Sequence, residues 1–197
     1  MTPLYASYLI WLIWGLSWMA AALWSGRTAA RPSPLAQAAH WIPTLMGFGL
    51  LFSRYAFRGA GRWGPAANRS WAFIPPVAWA LTGVVLAGMV FSWWARLYLG
   101  TMWSDSVVIK EGHHVVDSGP YRLVRHPIYT GLLTSAYALA IQSATAPSLL
   151  GAALLTLGFT LKARLEERFL RQELGPDAYD AYRARTPMLI PFLKRPA

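Results

Sequence analysis

Apolar residues gather into five runs along this chain, and the polar residues between them fall into short, distinct stretches. Leu4 to Trp24 covers 21 residues, enough at ~1.5 Å rise each to cross a ~30 Å hydrocarbon core as a helix. His40 to about Phe57 is shorter, with Arg54 and Arg58 placed to snorkel at its end. Ala72 to Ala95 is the longest run, opened by Pro75 and Pro76 and closed by the interfacial pair Trp93 and Trp94. A polar stretch from Gly100 to Pro127 follows, then Tyr129 to Ile141 and Pro147 to Leu161. These last two runs hold 13 and 15 residues, or ~20 Å each as helices, which predicts a helical hairpin too short for two full crossings.

A hairpin enters and leaves on one side, so Gly100 to Pro127 and the C-terminal tail share a face. The tail is predicted to start as an amphipathic helix from Lys162 to Leu174, with Glu167 and Arg171 at i,i+4 spacing. Gly175 is a C-cap candidate, and Pro176 opens another short helix bearing Tyr179 and Tyr182. The expected fold is therefore all-α and integral to the membrane, with about five transmembrane or hairpin helices and amphipathic C-terminal helices. Residues 1–97 read as a lipid-facing scaffold of three helices, and residues 98–197 as the region that carries the chemistry, within one folded unit. The start of the chain has neither a basic n-region nor a small-residue cleavage site, so Leu4 onward reads as a retained span.

Composition strengthens the membrane assignment: hydrophobic residues are 55% of 197, with 11 Trp and a mean hydropathy of +0.33. All eight acidic residues lie at or after Asp105, so arginine is the only ionised side chain in the first hundred positions. The net charge of +10 does not mark a nucleic-acid binder, because the arginines flank apolar runs; anionic lipid headgroups are the expected partner. With the tail inside, 14 cations face the cytoplasm against four (Arg54, Arg58, Arg62, Arg69) outside, which predicts a cytoplasmic mouth for the hairpin. Zero cysteines exclude disulfides, thiolate metal sites and a cysteine nucleophile.

The candidate chemistry starts with GPYRLVRHPIYTG, Gly119 to Gly131, which sets two arginines, a histidine and two tyrosines against a membrane-length apolar run. Polar side chains there must be paired, hydrated or occupied by a ligand. Pro127 keeps Arg125 and His126 out of any upstream helix and holds them at the hairpin mouth, beside the free N–H groups of the next helix. An anionic group such as a carboxylate is stabilised in such a place. A lone interfacial histidine is nevertheless more often a structural hydrogen-bonder. Glu166 and Glu167 read either as a solvated face paired with Arg171 and Arg164, or as carboxylates brought back beside Arg125 and His126 to meet an ammonium-bearing ligand. Tyr121 and Tyr129 read as interfacial anchors, or as aromatic faces for a purine or a sulfonium. There is no Walker-type loop, no GxGxxG after a strand and no HExxH, and four scattered histidines make a weak metal site, so no metal is expected.

In this ordered set the chain resembles the isoprenylcysteine carboxyl methyltransferase family of integral membrane methyltransferases, to which phospholipid N-methyltransferases are related. The resemblance runs from about Arg96 to Phe192, on Leu99, Gly100 and Trp103, then His113 to Val116, the Gly119 to Gly131 motif, Glu166, Glu167 and Leu170, and last Gly175, Tyr179, Tyr182, Pro187, Ile190 and Pro191. It implies an S-adenosylmethionine site built without a Rossmann sheet. The residues it assigns to the cofactor are Lys110, His113, His114, Val115, Val116, Tyr121, His126, Pro127, Ile128, Tyr129 and Glu166, which Arg125 joins by its place at the hairpin mouth. On the acceptor side it implies Lys162, where the family has arginine, with Arg164 nearby; for an amine that enters protonated, Glu167 is the available proton acceptor. Lysine offers a point charge where arginine offers a fork. The implied reaction is methyl transfer to a lipidic or prenylated acceptor, carboxylate O-methylation first, with phospholipid amine N-methylation as an alternative. A nicotinamide-dependent membrane reductase of the sterol-reductase type and a non-enzymatic membrane component or small transporter are the rival readings.

Overall fold

The computed structural model describes residues 1–23, 28–30, 34–53, 71–100, 103, 109–110, 116–174 and 176–193. Among them α1 is Pro3–Ala22, α2 Pro34–Leu51, α3 Pro75–Leu99, α4 Pro127–Ser143, α5 Ala146–Leu174 and α6 Pro176–Arg185. Two short strands, β1 (Thr28–Ala30) and β2 (Ile109–Lys110), pair antiparallel, and a 3-10 turn spans Gly119–Arg122.

Proline starts most of these helices, because it lacks the N–H that the first turn leaves unbonded and its φ is already helical. α1 adds a side-chain cap, Thr2 accepting from the Tyr5 N–H at 3.3 Å. α2 begins at Pro34, six residues ahead of the apolar run read from His40, because helix formation needs no apolar side chains in its first turn. Pro43 inside α2 cannot donate to the carbonyl of Ala39, so the helix has one fewer ladder bond close to His40.

α1, α3 and α5 are long and apolar enough to cross a membrane, and the protein is an all-helical membrane protein. Leu12, Ile13, Leu16 and Met19 of α1 and Leu86, Val90 and Leu97 of α3 are exposed, as lipid-facing side chains must be. The second arm of the hairpin corrects the sequence reading. Instead of two short arms and a separate tail helix, α5 runs unbroken for 29 residues, or ~44 Å. The polar composition after Leu161 changes what the helix faces without ending it, since no glycine or proline interrupts Lys162 to Leu174.

The bundle closes as a ring. α1 lies against α3 through Ser7 donating to Thr82 at 3.2 Å, Trp14 to Ser92 at 2.9 Å and Trp93 to Ser17 at 3.1 Å. α3 crosses α4 where Gly88 and Gly131 meet, and a Cβ at Gly131 would stand 2.9 Å from the Ser92 nitrogen. The turn between α4 and α5 uses Ala144 in the left-handed region, and Ser148 then donates to the Leu51 carbonyl at 3.3 Å. α5 runs antiparallel to α2, with Gly151 at Leu51, Leu155 at Gly47 and Gly158 at Thr44. Trp11 closes the ring onto Phe48 and Phe52, at 6.0 and 5.5 Å between ring centroids.

This chain direction collects the ends of α1, α3 and α5 and the starts of α2 and α4 at one mouth. Arg96, fully buried there, donates to the carbonyls of Gly100 (2.7 Å) and Ala21 (2.9 Å) and lies 4.3 Å over the Trp103 ring. One guanidinium thus caps the C-terminal ends of two helices, where the helix dipole favours a cation.

Candidate active site at the hairpin mouth

Gly119 opens the site. Its φ of +56° is open to glycine, and a Cβ there would meet the Tyr98 ring at 2.6 Å. The 3-10 turn then buries Pro120 and Tyr121, whose hydroxyl donates to the Ala95 carbonyl at 3.4 Å and whose own carbonyl accepts from Tyr182 at 2.7 Å. Burial pushes the hydroxyls of Tyr121, Tyr179 and Tyr182 up from their ordinary pKa, so all three are neutral donors.

Arg125 and His126 precede the helix start imposed by Pro127, and their backbone N–H groups need partners from elsewhere. A segment following α6 supplies them: Arg125 N–H donates to the Pro187 carbonyl at 2.8 Å and His126 N–H to the Met188 carbonyl at 3.1 Å. The Thr130 hydroxyl adds a third bond to this strap, to the Leu189 carbonyl at 2.7 Å. Nη1 of Arg125 donates to the carbonyls of Arg183 and Thr186.

The side chains meet α5. Nε of Arg125 donates to Oε1 of Glu167 at 2.8 Å, and Nε2 of His126 stands 3.1 Å from the same oxygen. Nδ1 of His126 faces Oε2 of Glu166 at 3.3 Å, while Oε1 of Glu166 accepts from the Tyr129 hydroxyl at 2.6 Å. Both ring nitrogens therefore face carboxylates, an arrangement that a neutral imidazole, with one donor and one acceptor, cannot satisfy. Burial alone would lower the pKa of His126, but the hydrogen bonds and charges of Glu166 and then Glu167 outweigh it and hold it above the ordinary value. The imidazolium bridges two carboxylates. Tyr129 is stacked between His126 (5.5 Å, 7°) and Phe159 (5.0 Å, 2°), and Nζ of Lys162 lies 5.6 Å from its ring centre.

The structure thus gathers Tyr121, Arg125, His126, Pro127, Ile128, Tyr129, Lys162, Glu166 and Glu167 at the mouth, all buried or partly buried. Arg164 is exposed, and Val116 packs on the edge of the core. His113, His114 and Val115 lie outside the described residues, and of Lys110 only the backbone, in β2, is described. The i,i+4 pair expected of Glu167 and Arg171 does not form. Glu167 is taken by Arg125 and His126, and Arg171 pairs with Asp180 of α6 at 2.8 Å. A buried carboxylate gains more from two buried cations than from one across an exposed helix face. The reading of Glu166 and Glu167 as a solvated face paired with Arg171 and Arg164 falls with it.

One residue of the mouth escaped the sequence reading. His40 is 4% exposed, and its Nδ1 is buried without a hydrogen-bond partner. The signal available was a histidine within an apolar helix. A second unpartnered atom belongs to the motif itself: Nη2 of Arg125, also buried. No metal-binding group is found among the described residues.

Fold and site together define a class: a helical membrane protein with a carboxylate, imidazolium and guanidinium cluster sealed into the mouth of a hairpin. Residues 80–172 match the model of the isoprenylcysteine carboxyl methyltransferase (ICMT) family. It is 30% identical over 140 residues to methanethiol S-methyltransferase 1 of Bradyrhizobium diazoefficiens, covering 62% of this chain and 48% of the relative. It is 41% identical over 71 residues to methanethiol S-methyltransferase of a Pseudomonas species, covering 36% and 26%. An uncharacterized Bacillus subtilis protein, YpbQ, is 30% identical over 56 residues, 27% of this chain and 33% of that protein. The chain spans about half the length of the first of these relatives. The comparisons lend no support to the phospholipid amine or nicotinamide reductase readings.

Proposed function

We propose that this chain is an S-adenosylmethionine-dependent methyltransferase whose acceptor is apolar and approaches from the bilayer. The observation that carries the reading is Glu166, fixed between the His126 ring and the Tyr129 hydroxyl on a cluster matching the family's motif. The residues present fit the cofactor's chemistry. The unpartnered Nη2 of Arg125 suits a carboxylate, Glu166 suits an ammonium, and the ring of Tyr121 suits a purine or sulfonium, while Tyr129, stacked between His126 and Phe159, holds Glu166. Val116 and Ile128 supply apolar contact, and Lys110, His113, His114 and Val115 are assigned to the same pocket by the resemblance. When bound, S-adenosylmethionine supplies an electrophilic methyl group, so the protein's work is to position the partners and keep water out.

Nζ of Lys162 lies 5.6 Å from the Tyr129 ring centre, and this cation suits a nucleophile that is anionic at the moment of transfer. Glu167 is committed to Arg125 and His126, which makes it a holder of the pocket before it is a base. A lipidic or prenylated carboxylate is the acceptor suggested by the family's name. A small apolar thiol is the second reading, favoured by the two methanethiol S-methyltransferases among its relatives. The excess of cations on the side of the mouth favours a site facing the cytoplasm. The helices before residue 98 act as a scaffold, with α2 reaching the site through His40 and α3 through the Ala95 carbonyl that holds Tyr121.

The test is isothermal titration with S-adenosylhomocysteine, alongside transfer of labelled methyl into lipid extracts and into small thiols. Wild type binds, Glu166→Ala loses cofactor affinity, and Lys162→Ala keeps it while turning over acceptor more slowly. Folded wild-type protein that binds no S-adenosylhomocysteine sinks the reading.

A further inference from the structure

We infer that His40 completes the acceptor side of the site and takes the proton released when a thiol is methylated, which makes a thiol the acceptor class. The inference rests on the methyltransferase reading above. Its basis is register. α2 and α5 pair at Leu51 with Gly151, Gly47 with Leu155 and Thr44 with Gly158, so each step back along α2 matches an equal step forward along α5. One turn beyond Thr44 and Gly158, the same register sets His40 beside Lys162, with Glu166 a turn further on. The charged groups that act on His40 are indeed Lys162 and Glu166, both from α5. α1 and α4 carry no Asp, Glu, Lys or Arg that could face it.

His40 is buried to 4% exposure, its ring is stacked on Trp41 (5.4 Å, 29°), and Nδ1 has no partner. A polar atom in that state is costly unless something meets it. The pairing of His40 with Lys162 separates the two candidate acceptors. A carboxylate arrives ionised and releases no proton on methylation, so it needs Lys162 and has no use for a base. A thiol, with a pKa of about 8.5 for cysteine, arrives mostly protonated and needs both. The S–H bond breaks first and its proton goes to Nδ1; the thiolate sulfur then bonds to the methyl carbon. The methyl's old bond to the sulfonium breaks, and that electron pair stays on the donor's sulfur. Lys162 offsets the thiolate charge as it forms. His126 cannot fill this role, since both its nitrogens are engaged by carboxylates.

The experiment uses the full chain in nanodiscs, with methanethiol and a prenylcysteine as probes, and the variants His40→Gln and His40→Asn. Wild type is expected to methylate the thiol, and in its S-adenosylhomocysteine complex to show thiolate absorbance when thiol is added. Both variants should bind S-adenosylhomocysteine as wild type does, lose the thiolate absorbance, and turn over thiol about 100-fold more slowly. Their rate should recover as pH is raised toward the thiol's own ionisation. Wild-type thiol turnover or thiolate absorbance retained in either variant overturns the role of His40, as does absence of the thiolate signal in wild type. Methylation of the prenylcysteine alone overturns the thiol assignment and leaves the methyltransferase reading standing. Absence of S-adenosylhomocysteine binding by wild type overturns both.

Discussion

The hydroxyl of Tyr129 donates to Oε1 of Glu166 at 2.6 Å, joining the first turn of α4 to the far half of α5. Among the described residues, Glu166 takes its direction from this hydroxyl and from the His126 ring. In Tyr129→Phe the ring remains stacked between His126 and Phe159, and the carboxylate is free to swing. Affinity for S-adenosylhomocysteine should fall about tenfold, the worth of one such bond, with the melting temperature little changed. Titration calorimetry and a thermal scan on the same preparation check both halves of this expectation.

Glu167 contrasts with its neighbour. It is the shared partner of Arg125 and His126, with side-chain exposures of 2%, 8% and 8% for the arginine, histidine and glutamate. Glu167→Gln leaves buried Arg125 without its counter-charge and His126 with Glu166 alone, and the loss should be roughly 3–5 kcal/mol of stability. Glu166→Gln, at the more open carboxylate, should cost much less. Comparable melting temperatures for the two variants in detergent would contradict this division.

The raised pKa of His126 has a defined sign. An imidazolium held by carboxylates in the folded state stabilises fully below the unfolded histidine value of about 6.5, and that contribution is lost as pH rises through the higher folded value. Melting temperature should therefore decline from pH 6 upward through neutrality, and His126→Gln should flatten that decline. An unchanged slope in the variant would assign the dependence to another group.

Gly131, the last residue of the motif, serves packing. A Cβ there meets the backbone of Gly88 and Ser92 on α3, and backbone cannot rotate away as a side chain can. Gly131→Ala should cost about 1–3 kcal/mol by overpacking and shift Trp fluorescence, since Ser92 is the acceptor for Trp14. Gly83→Ala, on α3 with nothing within 4 Å of the added carbon, is the control and should be close to neutral.

Much of this arrangement was legible in the chain because membrane helices announce themselves by length and apolarity, and because Pro127 and Pro176 mark helix starts whatever surrounds them. The return of Glu166 and Glu167 to Arg125 and His126 followed from the hairpin alone. Three things were hidden. The continuity of α5 was masked by its change in composition at Lys162, although the backbone responds to glycine and proline and there are none. His40 was hidden because its partner residues lie on a helix more than a hundred positions later, and only the α2–α5 register reveals them. The strap from Thr186 to Leu189 was equally invisible, since it acts through carbonyls that every sequence possesses.

That strap also imposes an order in time. Arg125 and Thr186 are 61 positions apart, so at ~5–20 residues per second a ribosome needs roughly 3–12 s to deliver the second after the first. Over that interval α4 and α5 are made, while the amides of Arg125 and His126 have none of the carbonyls that later hold them. The hairpin is thus free to enter the bilayer while its polar mouth stays hydrated, and the pocket is stitched shut only afterwards.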